Sequence, residues 1–241
     1  MSFVITTYIR EGIVMASDSR LSLNREQHPQ DNTVIQIAIS HSDSVYKTFL
    51  APNNVGISTC GDSIIDGVPV TSYVEVFIDE VLKKTDAPVD AVPAKILQFF
   101  KQFPAVPNNE FLVAGYKDAG GGRKEQQIWS VDAGRNEVER VNAGDEQGCS
   151  WRGDTDVFAR ILQPLVFLDA NGNPGEQAPT YQVPYGLFSL QDAIDFSVFA
   201  VQSTMEVMRF QSRAKTVGGP IDVLVIKPDQ AFWVQRKELH A

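Results

Sequence analysis

The chain has 241 residues, 43% of them hydrophobic and 21% charged, enough for a single domain over residues 1–241 with an ordinary buried core. A net charge of −9 excludes a nucleic-acid binder that works through clustered Lys and Arg on phosphates. Two cysteines, Cys60 and Cys149, and three histidines, His28, His41 and His240, fall in no disulfide or metal-ligand spacing, so neither a metal nor a cofactor is expected.

Residues 2–9 and 12–18 are rich in β-branched and apolar residues and read as two strands, with Glu11-Gly12 as the turn. Residues 33–39 read as a third strand, and 46–50 with 55–59 as a second hairpin across Pro52-Asn53-Asn54. From Val70 to Leu82 the apolar positions Val70, Val74, Phe77, Val81 and Leu82 have helical spacing. A second helix is expected from about Pro93 to Phe103, where Ile96, Leu97, Phe99, Phe100 and Phe103 form a broad apolar face. Strands return at 110–116, 127–132 and 137–142, separated by Ala119-Gly-Gly-Gly122 and Ala133-Gly134.

Asp154 is a candidate cap for a helix that must stop before Pro164, and Asn171-Gly-Asn-Pro-Gly175 reads as a loop. Ser189 with Asp192 three residues on predicts a capping box opening a long helix to about Phe210. Segments 221–226 and 231–235 close the chain as strands around Lys227-Pro-Asp-Gln230. Strands, two helices, strands, two helices, strands: two antiparallel sheets sandwiched between helical layers satisfy that order, an α+β class. No stretch of eighteen apolar residues offers a membrane span, and the start lacks a signal peptide's basic and apolar stretches. A cytoplasmic protein with no membrane partner is expected.

Ser2 follows Met1 and lies sixteen positions before Asp18, across the first two strands. Once Met1 is removed, Ser2 carries both a hydroxyl and a free α-amine, which places nucleophile and base on one residue. The plainer reading is that a small residue merely suits methionine removal.

The run Gly12-Ile-Val-Met-Ala-Ser-Asp-Ser-Arg20 resembles the second strand of proteasome β subunits, and its Ala-Ser-Asp-Ser-Arg form is similar to the bacterial ancestral β-subunit family (Anbu). Thr216-Val-Gly-Gly-Pro-Ile-Asp-Val-Leu-Val-Ile226, Val55-Gly-Ile-Ser-Thr-Cys-Gly-Asp62 and Gly148-Cys-Ser-Trp-Arg-Gly153 resemble further segments of that family, in the same order. The resemblance implies a four-layer αββα sandwich of the N-terminal nucleophile hydrolases and a peptidase or amidohydrolase activity. It implies Ser2 as nucleophile where threonine is usual, and its own amine as base, with a reference pKa of about 7.7–8.0.

Asp18 falls on the family's aspartate, which holds a lysine whose charge lowers the amine's pKa. Lys47, reached across a long loop from about Asn24 to Ser44, is the lysine assigned by elimination. Gly61 falls on the glycine whose N–H stabilises the oxyanion, and Ser150 on a serine that supports the amine, with Cys149 as the competing register. Arg20, Thr59 and Ser63 would line the substrate pocket. The family's second supporting aspartate has no counterpart between Ser212 and Thr216. A peptide or small amide substrate, a homo-oligomeric ring or helical stack, and room for an unfoldase partner also follow from the resemblance.

Each assignment has a plainer rival. Asp18 could close a strand end or pair with Arg20, and Lys47 could be a strand-edge lysine. Gly61 could be a turn glycine, Gly120-Gly121-Gly122 a hairpin tip, and both cysteines small buried residues. Thr6-Thr7 is similar to the paired threonines of mature proteasome subunits, but a start there would delete half the first strand. A catalytically silent structural subunit and a non-proteolytic small-amide amidase remain as alternatives to the peptidase.

Overall fold

A computed structural model describes residues 2–27, 35–142, 144 and 146–238, with side chains for all of these but 24–27 and 35–41. Met1, His28 and His240, and residues 33 and 34 of the third expected strand, lie outside the described residues. The chain is α+β, with several antiparallel sheets.

In chain order the elements are β1 (Phe3–Ile9), β2 (Gly12–Ser17), β3 (Leu21–Gln27), β4 (Ile35–Ser42), β5 (Thr48–Ala51), β6 (Val55–Gly61) and the short pair β7 (Ile64–Ile65) and β8 (Val68–Pro69). Then come α1 (Val70–Phe77), a wider π-type turn over Ile78–Leu82, α2 (Lys83–Thr85) and α3 (Val92–Phe100). The second half holds β9 (Asn109–Gly120), β10 (Arg123–Asp132), β11 (Glu137–Arg140), β12 (Gly148–Gly153), α4 (Asp156–Leu162), β13 (Val166–Leu168), β14 (Pro174–Gln177), α5 (Leu190–Phe210), β15 (Asp222–Lys227) and β16 (Gln230–Gln235).

Two five-stranded sheets dominate, with orders β12-β1-β2-β15-β16 and β11-β10-β9-β6-β5. The strand period of two sorts the side chains of β1 to opposite faces. Phe3, Ile5 and Ile9 pack with Phe158 of α4 and with Ala193, Ala200 and Val201 of α5. Val4 and Tyr8 instead meet Leu112 and Ala114 of β9 and Ile128 of β10 in the second sheet. Both faces are therefore buried, and β1 reads as a continuous apolar run with little polar alternation. The other face of the second sheet, through Ile57, Phe111 and Val131, packs against Val74 and Phe77 of α1 and Ile96 and Phe100 of α3.

Several sequence expectations change. The first turn is Arg10-Glu11, because Gly12 already pairs with Ile9 inside the sheet. The long loop from Asn24 to Ser44 contains most of a hairpin, β3 paired with β4. The loop at 171–175 runs into a second hairpin, since Pro174 opens β14 opposite Leu168. Asp154 does not cap α4: the residue at that position is Thr155, with no side-chain bond, and Asp154 turns elsewhere. The capping box at Ser189 and Asp192 forms as expected, each side chain meeting the other's backbone N–H. No helix among the described residues is long and apolar enough to cross a membrane.

Candidate active site

One end of the first sheet gathers the residues around Ser2. Phe3 pairs with Gly153, and Ser17 lies between Val4 and Asp222 of neighbouring strands. The matching end of the second sheet brings Lys47, just before β5, beside Thr59, whose N–H donates to the Lys47 carbonyl at 2.9 Å. Gly61 there pairs with Asn109. A small cleft, about 310 Å³ only when the solvent open to it is counted, lies where the two ends meet, lined by Ser2, Arg20, Lys47, Thr59, Gly61 and Ser63 together with Cys60, Asp62 and Asn109.

Asp18 organises this end. Its carboxylate is fully buried and accepts four bonds: Oδ1 from Phe3 N–H at 3.0 Å and Lys47 Nζ at 2.8 Å, Oδ2 from Arg20 N–H at 3.1 Å and Gly218 N–H at 3.0 Å. A buried carboxylate needs such saturation, since an unpaired charge in the interior is costly. One side chain thus ties the start of β1, the end of β2, the lysine before β5 and the Gly-Gly turn before β15. Burial pulls the Lys47 ammonium below its ordinary pKa, and the Asp18 charge and hydrogen bond oppose that shift only in part.

Ser2 is 7% exposed, and its carbonyl accepts from Asp154 N–H at 2.7 Å. This contact uses the residue after Gly153, whose φ of +95° belongs to the glycine-favouring region. Gly61 has a similar constraint at φ +116°, where an added Cβ would lie 2.2 Å from Asn108 O. Arg20 forms a bidentate pair with Asp43 at 2.7 Å for both bonds and donates to Lys215 O at 3.1 Å. It walls the cleft while braced by two loops. Ser63 Oγ donates to Ser22 O at 3.1 Å.

Ser150 is not brought to Ser2. It pairs with Thr6 in the body of the sheet, and its hydroxyl accepts from Arg152 at 3.1 Å. Cys149, the competing register, bonds Tyr185 OH at 2.9 Å; burial pushes its thiol up to about 11, so it holds its proton at neutral pH. Cys60 reaches the cleft, but burial and the nearby Glu110 carboxylate raise its pKa further.

Asp154 is the residue that sequence reasoning missed. Its carboxylate accepts the hydroxyl proton of Thr216 and lies 4.0 Å from Arg213, and its charge favours the ammonium form of Lys47. A second carboxylate therefore does sit beside Thr216, delivered from the end of β12. The available signal was its position directly after the Gly148–Gly153 segment, where helix capping offered a simpler account. Comparison with protein-family models gives no match, and comparison with curated proteins gives none either.

Proposed function

We propose that the chain is a proteasome-like N-terminal nucleophile hydrolase of the Anbu kind, a single domain with the four-layer αββα arrangement, in which Ser2 cleaves an amide. The two sheets with helices packed on them support the fold, and the cleft at their shared end supports the chemistry. The observation that carries the reading is Asp18 Oδ1, which bonds Lys47 Nζ and the N–H of Phe3, the residue joined to Ser2.

With Met1 removed, the Ser2 hydroxyl gives its proton to the α-amine as Oγ attacks the amide carbonyl. Lys47 depresses the amine's pKa by like-charge repulsion, and Asp18 fixes the lysine. The main chain at Gly61 is assigned to the oxyanion. The C–N bond then breaks, the departing amine takes the proton from the α-ammonium, and water hydrolyses the Ser2 ester. The Asp154 carboxylate takes the place of the one missing from 212–216, acting through Thr216, while the Asp154 main-chain N–H holds the Ser2 carbonyl. The consecutive apolar run Leu165-Val166-Phe167-Leu168 at β13, each side chain about half exposed or more, supports a homo-oligomer.

The test joins intact mass with labelling by a peptide epoxyketone, whose ketone takes the hydroxyl and whose epoxide takes the amine. A chain beginning at Ser2 should gain the probe's mass; Ser2→Ala should not, and Lys47→Ala should gain it more slowly. Retention of Met1, or labelling unchanged in Ser2→Ala, would establish instead the silent structural subunit or another nucleophile. Turnover of small acyl amides without peptide labelling would leave the small-amide amidase.

A further inference from the structure

Two polar atoms in the wall of the Ser2 cleft are buried and lack hydrogen-bond partners among the described residues: Thr59 Oγ1 and Asn109 Oδ1. Thr59 is 3% exposed and Asn109 1%. The amide orientation of Asn109 is fixed by its other end, since Nδ2 donates to Cys60 O at 2.9 Å and Asp62 O at 3.1 Å. The atom left over is therefore an acceptor, while Thr59 offers a hydroxyl that both gives and accepts. Buried groups of this kind are normally satisfied, and an unpaired one in a binding cleft marks where a ligand group is wanted.

On the reading of Ser2 as nucleophile, we infer that this wall selects a substrate whose side chain beside the scissile amide ends in a primary carboxamide, glutamine or asparagine. A carboxamide brings an N–H for Asn109 Oδ1 and a carbonyl for the Thr59 hydroxyl. An aliphatic side chain would leave both atoms unmet. A carboxylate has no proton to offer Asn109. An ammonium could also donate to both atoms but would enter beside the Lys47 and Arg20 cations, so lysine is the competing side chain, and a preference for it over glutamine overturns the inference. Sites built to bond a substrate N–H or O–H reject the analogue lacking it far more strongly than apolar pockets reject a missing methylene.

The experiment uses four otherwise identical peptide epoxyketones carrying glutamine, norleucine, lysine or glutamate at that position. The matching unreactive peptide amides are titrated by NMR against Ser2→Ala, in which binding needs no chemistry. Glutamine should label and bind about tenfold or more better than norleucine, its near-isostere. Thr59→Val, which keeps the side chain's shape, should remove most of that ratio without altering the circular dichroism spectrum. Norleucine equal to glutamine, a ratio unmoved by Thr59→Val, or no measurable binding of any of the four peptides overturns the inference. A glutamine preference in binding with no labelling by any probe would remove the hydrolase reading and leave the carboxamide pocket standing.

Discussion

Gly153 has no space for a side chain: a Cβ there would lie 1.8 Å from the carbonyl oxygen of Ser2, on a backbone with φ +95°. Gly153→Ala must move Ser2, break the Asp154 N–H bond to its carbonyl, or both. The expected loss is about 2–4 kcal/mol by urea unfolding. A folded fraction should also label slowly at Ser2. A variant as stable as the parent would show that the backbone there yields freely. Lys47 carries a pH prediction. Burial makes the folded chain release this proton below the ordinary 10.5, so between the lowered value and 10.5 the unfolded chain binds more protons. The stability of the parent relative to Lys47→Met should therefore rise as pH increases through that window. A difference that is flat or falls with pH would contradict the burial argument. Asp18 and Lys47 could be nominated from sequence only because the resemblance asks for an aspartate after the second strand and a lysine beyond it, and Lys47 is the lone lysine before residue 80. Asp154 had only its place after the Gly148–Gly153 segment to mark it, because its partner Thr216 lies sixty-two positions away in the chain.

Elements were legible where a local rule acted alone. The capping box at Ser189 and Asp192 opens α5 as its spacing required, and Ser189→Ala should cost about 1 kcal/mol through the lost bond to the Asp192 N–H. A lower urea midpoint with an unchanged slope is the expected signature; an unchanged midpoint would mean that Leu190, whose N–H bonds Glu11, holds the helix end without the cap. The helical spacing from Val70 to Leu82 also survives, although a π-type turn interrupts the regular helix at Ile78. Elements were illegible where pairing came from far away. Gly-Cys-Ser-Trp-Arg-Gly of β12 has no alternation of its own and is a strand because β1 supplies its partner at every position from Phe3 to Tyr8. The β3 sequence Leu-Ser-Leu-Asn-Arg-Glu-Gln is mostly polar and, among the described residues, pairs only with β4, so no apolar stripe announced it.

At the scale of the whole molecule, the two sheets are joined beside the site by the segment after β16. Tyr46, just ahead of β5 at the edge of the second sheet, donates its hydroxyl to Lys237 O at 3.1 Å, and Lys237 Nζ lies 4.3 Å from the centre of the Tyr46 ring. The same Lys237 pairs with fully buried Asp222 of β15, which also accepts the Lys237 N–H at 2.8 Å. Asp222 sits opposite Ser17, whose hydroxyl accepts from Thr48, next to Lys47. Two lysine–aspartate pairs thus lie at the same end of the molecule, one in the cleft and one behind it, and the positive charge of Lys47 disfavours that of Lys237. Lys237→Met keeps the length of the side chain but leaves the Asp222 carboxylate buried without its cation. That should cost about 3–5 kcal/mol in urea unfolding, the range for breaking one side of a buried pair. Adding Asp222→Asn removes the stranded charge and should recover part of the loss. A double variant no more stable than Lys237→Met alone would mean that the cost lies in the lost cation–π contact with Tyr46, and that the strap rather than the ion pair holds the sheets' edges together.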